Sequence, residues 1–201
     1  MHILWDFDGT LFDTYPVYVQ TLYKTLDKKV PEQEIYKHMK QSFGHTIEFY
    51  NMSTELIEQY SKEEHAISPK EKPPFTGVKD VLANADLNVI MTHKSRSEVI
   101  EILKFHDMEH YFEELICGDD GYPRKPDSAS YRFFHEKHRI DLAVGDRALD
   151  LIPTKSLGIK TCYFAYDRDI AYSTEASEVA DFEVTSYKEL LNYLNGGLPK
   201  K

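Results

Sequence analysis

The chain has 201 residues, 41% hydrophobic and 29% charged, with a formal net charge of −10. That length lets roughly 70% of the unfolded surface be buried, enough for one domain with a sizeable core plus a modest insertion. With 24 basic residues against 34 acidic ones, non-specific binding to nucleic acid or to an anionic membrane is disfavoured. Any anion site has to be locally basic or metal-bound.

The first predicted element is a short buried strand over residues 3–7, which leads into Asp6-Phe7-Asp8-Gly9-Thr10. Strand side chains alternate, so Asp6 and Asp8 share a side where the apolar run ends. Two carboxylates that close repel unless a cation lies between them or they share a proton. The pair reads as a nucleophile, Asp6, and an acid/base, Asp8, with a magnesium site in the gap.

Residues 15–74 lack strand signals. Val17, Leu22 and Leu26 recur near helical spacing, as do Ile35, Met39 and Phe43, and a third helical segment is expected over 47–60. The stretch closes on a polar, Pro-rich connector ending in Pro73-Pro74. An all-helical insertion hanging over the end of the first strand is predicted, tethered at Asp13-Thr14 and Pro73-Pro74. Ser42 to Thr46, which holds the only glycine of this segment, is expected to be a loop facing the substrate.

Beyond the connector, helix and strand alternate. Strands are expected at 87–91, 115–117, 142–144, 161–164 and 182–185, and helices at 78–85, 95–106, 127–138, 148–157 and 187–194. This rhythm defines an α/β fold, a Rossmann-like parallel sheet core with helices on both faces plus a small all-helical domain. The expected domains are 1–14 with 75–201, and 15–74. Cys117 and Cys162 lie in strand-like segments and read as core residues, not as a disulfide. No basic leader or long apolar segment is present, so the default location is cytoplasmic.

Three further motifs follow the Asp pair. Thr92 ends the second strand, with His93-Lys94 after it; a hydroxyl there suits a phosphate oxygen acceptor next to a helix start. Arg124-Lys125-Pro126-Asp127 places a lysine before a helix start. Gly145-Asp146-Arg147-Ala148-Leu149-Asp150 ends an apolar strand in Gly-Asp, and Asp150 lies one helical turn later, on the same side as Asp146. Cys117 and Arg124 miss the spacing of a cysteine phosphatase loop by one residue. There is no P-loop and no His/Cys cluster with zinc spacing.

In this order the four motifs resemble those of the haloacid dehalogenase superfamily, in its phosphatase type with a helical cap, similar to phosphoglycolate phosphatases and β-phosphoglucomutases. The resemblance covers nearly all of the chain outside the cap. It implies that Asp6 attacks phosphorus to form an aspartyl phosphate. Asp8 then protonates the leaving oxygen and later takes a proton from water. Asp8 also favours phosphoryl transfer over dehalogenation, since the dehalogenases lack it. Gly9 and Thr10 with Thr92, His93 and Lys125 become the substrate-binding set, Lys125 offsetting negative charge. Mg2+ is the implied cofactor, held by Asp6, Asp146 and the Asp8 carbonyl, with Asp150 acting through water or orienting Lys125. His93 departs from the common Thr-Asn-Lys, and Ser128 from a common proline. The resulting expectation is a Mg-dependent phosphatase for a small phosphate monoester, working as a monomer or homodimer with no nucleic-acid or membrane partner. The alternatives are a phosphomutase and a non-catalytic binding module.

Overall fold

The computed structural model describes residues 1–197; the last four residues of the expected 75–201 domain lie outside them. Six parallel strands, β1 (His2–Trp5), β2 (Leu87–Met91), β3 (Glu114–Ile116), β4 (Leu142–Gly145), β5 (Lys160–Phe164) and β6 (Phe182–Val184), form one sheet in the order β3-β2-β1-β4-β5-β6. β1 lies between β2 and β4, so the chain ends leaving β1 and β4 meet where the strand order reverses. Open α/β sheets bind ligands at that crevice.

Both faces are dry. Ile3 and Trp5 point into one apolar cluster with Val99, Leu142 and Tyr187, while Leu4 points into the other with Val89, Tyr131 and Phe134. The buried Asn88 of β2 is fully engaged: its Oδ1 accepts from Trp5 Nε1 (2.8 Å), and its Nδ2 donates to the Leu82 and Tyr111 carbonyls (3.0 and 3.2 Å). A buried amide is tolerated only when bonded in this way.

The helices are, in chain order, α1 (Tyr15–Thr25), α2 (Glu32–Gln41), α3 (Phe43–Phe49), α4 (Thr54–His65), α5 (Val78–Asn84), α6 (Arg96–Phe105), α7 (Ala129–His138), α8 (Ala148–Ser156), α9 (Arg168–Ala171), α10 (Thr174–Val179) and α11 (Tyr187–Leu194). α1 to α4 pack on their own apolar cluster, built from Tyr15, Val19, Leu22, Ile35 and Met39 among others. Their two connections to the sheet run side by side, the Asp13 N–H donating to the Pro73 carbonyl (2.9 Å) and the Phe75 N–H to Leu11 (3.1 Å).

Several expectations need correction. β1 stops at Trp5 because the Phe7 carbonyl turns to accept from the N–H groups of Leu11 and Phe12 (2.9 and 3.1 Å). The segment 47–60 is two helices, broken at Asn51, whose φ of 46° is left-handed. Residues 42–46 are a helix start: Ser42 Oγ accepts from the His45 N–H (2.9 Å) and caps α3. α9 and α10, short helices between β5 and β6, carry too few periodic apolar residues to be read from pattern. Cys117 and Cys162 are buried free thiols in the sheet core. No helix among the described residues is long and apolar enough to cross a membrane.

Candidate active site

The carboxylates of Asp6, Asp146 and Asp150 gather where β1 and β4 end, each offering an oxygen within 4.8 Å of the others. All three are buried. Asp6 follows β1 directly, and its N–H still donates to the Val144 carbonyl (3.0 Å), which ties it to the neighbouring strand. Asp146 follows β4, and Asp150 lies in the first turn of α8, where its Oδ2 accepts the Arg147 N–H (3.2 Å).

Lys125 closes this cluster. Its ammonium donates to Asp6 Oδ1 (2.5 Å) and Asp150 Oδ1 (2.8 Å). Burial pulls a lysine down, but Asp150 and Asp6 outweigh it and hold Lys125 above its usual value. Asp150 is pushed up by burial and, more strongly, drawn below the usual carboxylate range by Lys125 and Arg147. Asp6 goes the other way: burial and then the Asp150 charge raise it, and Lys125 only partly offsets them. Burial likewise raises Asp146 despite Lys40 and Arg147, so Asp6 and Asp146 are both less fully compensated than Asp150.

An all-oxygen set of buried carboxylates fits a hard divalent cation. Gly9 lets Asp146 and Tyr15 pack against the backbone: at φ +74°, a Cβ there would meet Asp146 Oδ2 and Tyr15 at 2.4 Å. The structure thus gives Gly9 a packing reason that concerns Asp146. Thr10 is fully buried, and its hydroxyl lies against Asp6 Oδ2 (3.3 Å) and Asp146 Oδ1 (3.5 Å). Its carbonyl accepts from Tyr187 (2.6 Å). Thr10 braces the carboxylates and does not face the open cavity.

Asp8 lies apart from the acidic trio. It borders a cavity of ≈ 470 Å³ together with Asp6, Thr92, His93, Lys125 and Phe43 of α3. Its Oδ1 accepts from Tyr18 of α1 (3.2 Å), and Lys94 lies 3.7 Å from its Oδ2. Lys94 is itself held by Glu98 (2.9 Å), by Glu64 of α4 (3.1 Å) and by the Tyr18 oxygen (2.6 Å). Lys72 completes this buried chain on Glu98 (2.8 Å).

Thr92 lines the cavity, and its hydroxyl accepts the Lys94 N–H (3.2 Å). It does not cap α6, whose first N–H, on Arg96, goes to the Asp119 carboxylate (2.9 Å). His93 Nε2 accepts the Lys125 backbone N–H (2.7 Å), which places the ring proton on Nδ1. Burial, with the charges of Lys125 and Arg124, pushes this imidazole down to about 3, so it stays neutral. His93 thereby positions the loop that carries Lys125. Of residues 42–46, Ser42, Phe43 and Gly44 border the cavity.

Sequence reasoning missed Lys40. This α2 lysine enters the site from above, donating to Asp146 Oδ2 (2.6 Å) and lying 3.0 Å from Asp167 Oδ2. One turn earlier, Tyr36 donates to the same Asp167 oxygen (2.7 Å). Burial opposes the Lys40 charge, but Asp146 and Asp167 overcome it and raise its pKa. A signal was available: Tyr36 and Lys40 stand at i,i+4 beside the apolar seam of Ile35 and Met39, so a lysine on that stripe has to find a buried anion.

A six-stranded parallel sheet carries buried carboxylates and a lysine at its switch point, covered by helices. The chain belongs to the haloacid dehalogenase-like hydrolase family, whose model matches residues 3–164. It is similar to the pyrophosphatase PpaX of Halalkalibacterium halodurans, 25% identical over 178 residues that cover 82% of this chain and 83% of that one. It is also similar to a phosphoglycolate phosphatase of Vibrio vulnificus, 29% identical over 107 residues, 51% of this chain and 46% of that one. In fold it resembles the crystal structure of a haloacid dehalogenase-like protein of Agrobacterium tumefaciens, with a TM-score of 0.82, 15% identity and 97% of both chains covered.

Proposed function

We propose that this hydrolase is a Mg2+-dependent phosphatase that cleaves a small phosphate monoester through an aspartyl phosphate on Asp6. The observation that carries the reading is the separation of roles in one cavity: Asp6 is fixed by Lys125 inside the acidic trio, while Asp8, two residues on, stands free of it at the cavity wall. The relatives named as a pyrophosphatase and a phosphoglycolate phosphatase support the same chemistry.

In this mechanism an Asp6 carboxylate oxygen attacks phosphorus, and the bond from phosphorus to the ester oxygen breaks. Asp8, in its acid form, gives its proton to that oxygen. Asp8, now a carboxylate, takes a proton from water; the resulting hydroxide attacks phosphorus, and the bond to Asp6 breaks to release inorganic phosphate. Lys125 stays within reach of both Asp6 and the charge that builds on the phosphoryl oxygens, and Thr92 is placed to donate to one of them. Asp6 and Asp146, with the Asp8 carbonyl, would hold Mg2+, and Asp150 would keep Lys125 in place. When bound, the ion supplies positive charge to the phosphoryl oxygens and to Asp6. Residues 15–74 serve as a cap domain on a core of 1–14 and 75–201, excluding bulk water during the reaction.

The test is inorganic phosphate release from a panel of small phosphate esters, with magnesium or with EDTA, using wild type and Asp6→Asn. Metal-dependent release by wild type alone is expected. Release that persists in Asp6→Asn removes the nucleophile from the scheme. Turnover that appears only with a sugar bisphosphate activator reassigns the protein as a phosphomutase.

A further inference from the structure

His38 and His45 lie on different helices, so no helical period pairs them. The corner between α2 and α3 does. α2 ends at Gln41, and Ser42 caps α3 by accepting the His45 N–H (2.9 Å). This turns His45 back toward α2, and His38 Nδ1 comes to lie 2.9 Å from His45 Nε2. Packing holds the rings there. His38 stacks on Phe49, with 3.6 Å between ring centroids, and meets Tyr50 in a T-shaped contact. Both histidines are half-buried, open on one side to an ion from solvent.

Two neutral imidazoles in this contact hold one proton between them, one nitrogen donating and the other accepting. The far nitrogens, His38 Nε2 and His45 Nδ1, have no hydrogen-bond partner among the described residues. The shared proton can therefore pass to the far nitrogen of its own ring by a change of tautomer. Both facing nitrogens are then bare lone pairs, with no proton gained or lost and no partner stranded. Burial and the nearness of His45 also hold His38 below its ordinary proton affinity, in the neutral form that binds metals.

The separation selects among ions. Bonds from an imidazole nitrogen to a metal are about 2.0–2.1 Å long; two of them at a right angle put the nitrogens about 2.9 Å apart, whereas a tetrahedral angle needs about 3.3–3.4 Å. The observed 2.9 Å matches the right angle, which belongs to the square-planar and tetragonal sites of Cu2+ and Ni2+. Glu34, one turn before His38, adds negative charge, and its only hydrogen bond among the described residues comes from Tyr50 (3.4 Å). We infer that His38 Nδ1 and His45 Nε2 form a chelating site for a tetragonal divalent ion, Cu2+ before Ni2+, with water completing the coordination. A bound ion would pin α2, whose Lys40 reaches Asp146, to α3, whose first residues border the ≈ 470 Å³ cavity. The site shares no residue with the acidic trio and stands whether or not the phosphatase reading does.

The test is Cu2+ binding followed by continuous-wave and pulsed electron paramagnetic resonance, with Mg2+ in excess to occupy the carboxylates. Every protein carries His2→Gln, so that the amino terminus and its neighbouring histidine do not capture the ion first. The parent is expected to bind one Cu2+ whose pulsed spectrum shows the far nitrogens of two imidazoles. His38→Gln and His45→Gln should each lose at least about tenfold in affinity, because a tethered second donor is gone, and each spectrum should show one imidazole fewer. His110→Gln, a change to an exposed histidine outside the pair, should alter neither reading.

A parent spectrum with a single imidazole overturns the inference, and that reading does not depend on how the pair variants fold. So does full Cu2+ affinity kept in either His38→Gln or His45→Gln, which would make the contact a plain hydrogen bond between two helices. Zn2+ bound more tightly than Cu2+ would mean a tetrahedral site and overturn the geometry. Two imidazoles in the parent, one in each pair variant and no change in His110→Gln sustain it.

Discussion

Asp6 and Asp8 are two residues apart, yet their surroundings share almost nothing. Asp6 is 3% exposed and is held wholly by the sheet domain, through Lys125 and Thr10. Asp8 is half-buried and takes its hydrogen bond from Tyr18, a residue of the helical segment above. Under the proposed mechanism, the nucleophile is thus held by the sheet side alone, and the acid/base takes its hydrogen bond from α1. One strand end supplies both carboxylates, and the proposed division of labour comes from what packs on each.

The sharpest way to break this contrast is to neutralise each carboxylate in turn. Asp6→Asn keeps shape but loses the nucleophile, and kcat should fall by at least about 10⁴-fold. Asp8→Asn should cost less, about 10²- to 10⁴-fold, and should slow both formation and breakdown of the aspartyl phosphate in single-turnover experiments. Its penalty should shrink for esters with good leaving groups such as p-nitrophenyl phosphate, which need little protonation. Rates of aspartyl-phosphate formation in Asp8→Asn that are unchanged, or that fall equally for every leaving group, would remove its role as acid, and an unchanged breakdown rate would remove its role as base.

Tyr18→Phe probes the cap side of the same contrast. Asp8 loses a donor and Lys94 an acceptor, so kcat should drop about tenfold with little change in KM. The drop should again be steeper for poor leaving groups; a change in KM alone would mean that Tyr18 only shapes the cavity. Lys40→Met tests the cap's reach into the acidic trio. Removing an ammonium 2.6 Å from Asp146 should tighten Mn2+ binding, followed by electron paramagnetic resonance, by about tenfold, because a like charge leaves the site. Asp167→Asn, which leaves Lys40 on Asp146, should show no such gain. Weaker Mn2+ binding in Lys40→Met would recast Lys40 as a support for Asp146, not a rival for it.

The reading from sequence was strongest where backbone and chemistry coincide. β1, β2 and β4 are apolar runs that end in Asp6, Thr92 and Asp146, and a parallel sheet buried on both faces leaves no other reading of such runs. The alternation of helix and strand pointed to a parallel sheet, as found. What escaped were contacts made across elements far apart in sequence. Lys40 meets Asp146 at a separation of 106 residues, and Tyr36 meets Asp167 at 131; no local period encodes either. The start of α3 was misread for the opposite reason. Gly44 looks like a turn, but Ser42 caps the helix, and one side-chain hydrogen bond outweighs the modest propensity cost of a glycine in the first turn. Arg147 stood in the open inside a motif, and its ion pairs to Asp146 and Asp150 appear only once its neighbours are placed.

The smallest expected effect belongs to His93, which links the Asp8 side, where Thr92 and Lys94 flank it, to the Lys125 loop of the Asp6 side. In the unfolded chain an imidazole takes its proton near pH 6.5, whereas the folded ring is pushed down to about 3. Between those values the unfolded state binds more protons, so stability is complete above about pH 6.5 and is lost as pH falls toward 3. His93→Asn retains an oxygen that can accept the Lys125 N–H and cannot titrate. Because the ring is half-buried, solvent screening reduces the effect, and the variant should lose less stability than wild type on acidification, by on the order of 1 kcal/mol between pH 7 and 4.5. Urea unfolding at the two pH values measures it. Equal losses in both proteins would mean that His93 does not carry this part of the acid sensitivity, and that the Lys125 loop is held by its other contacts.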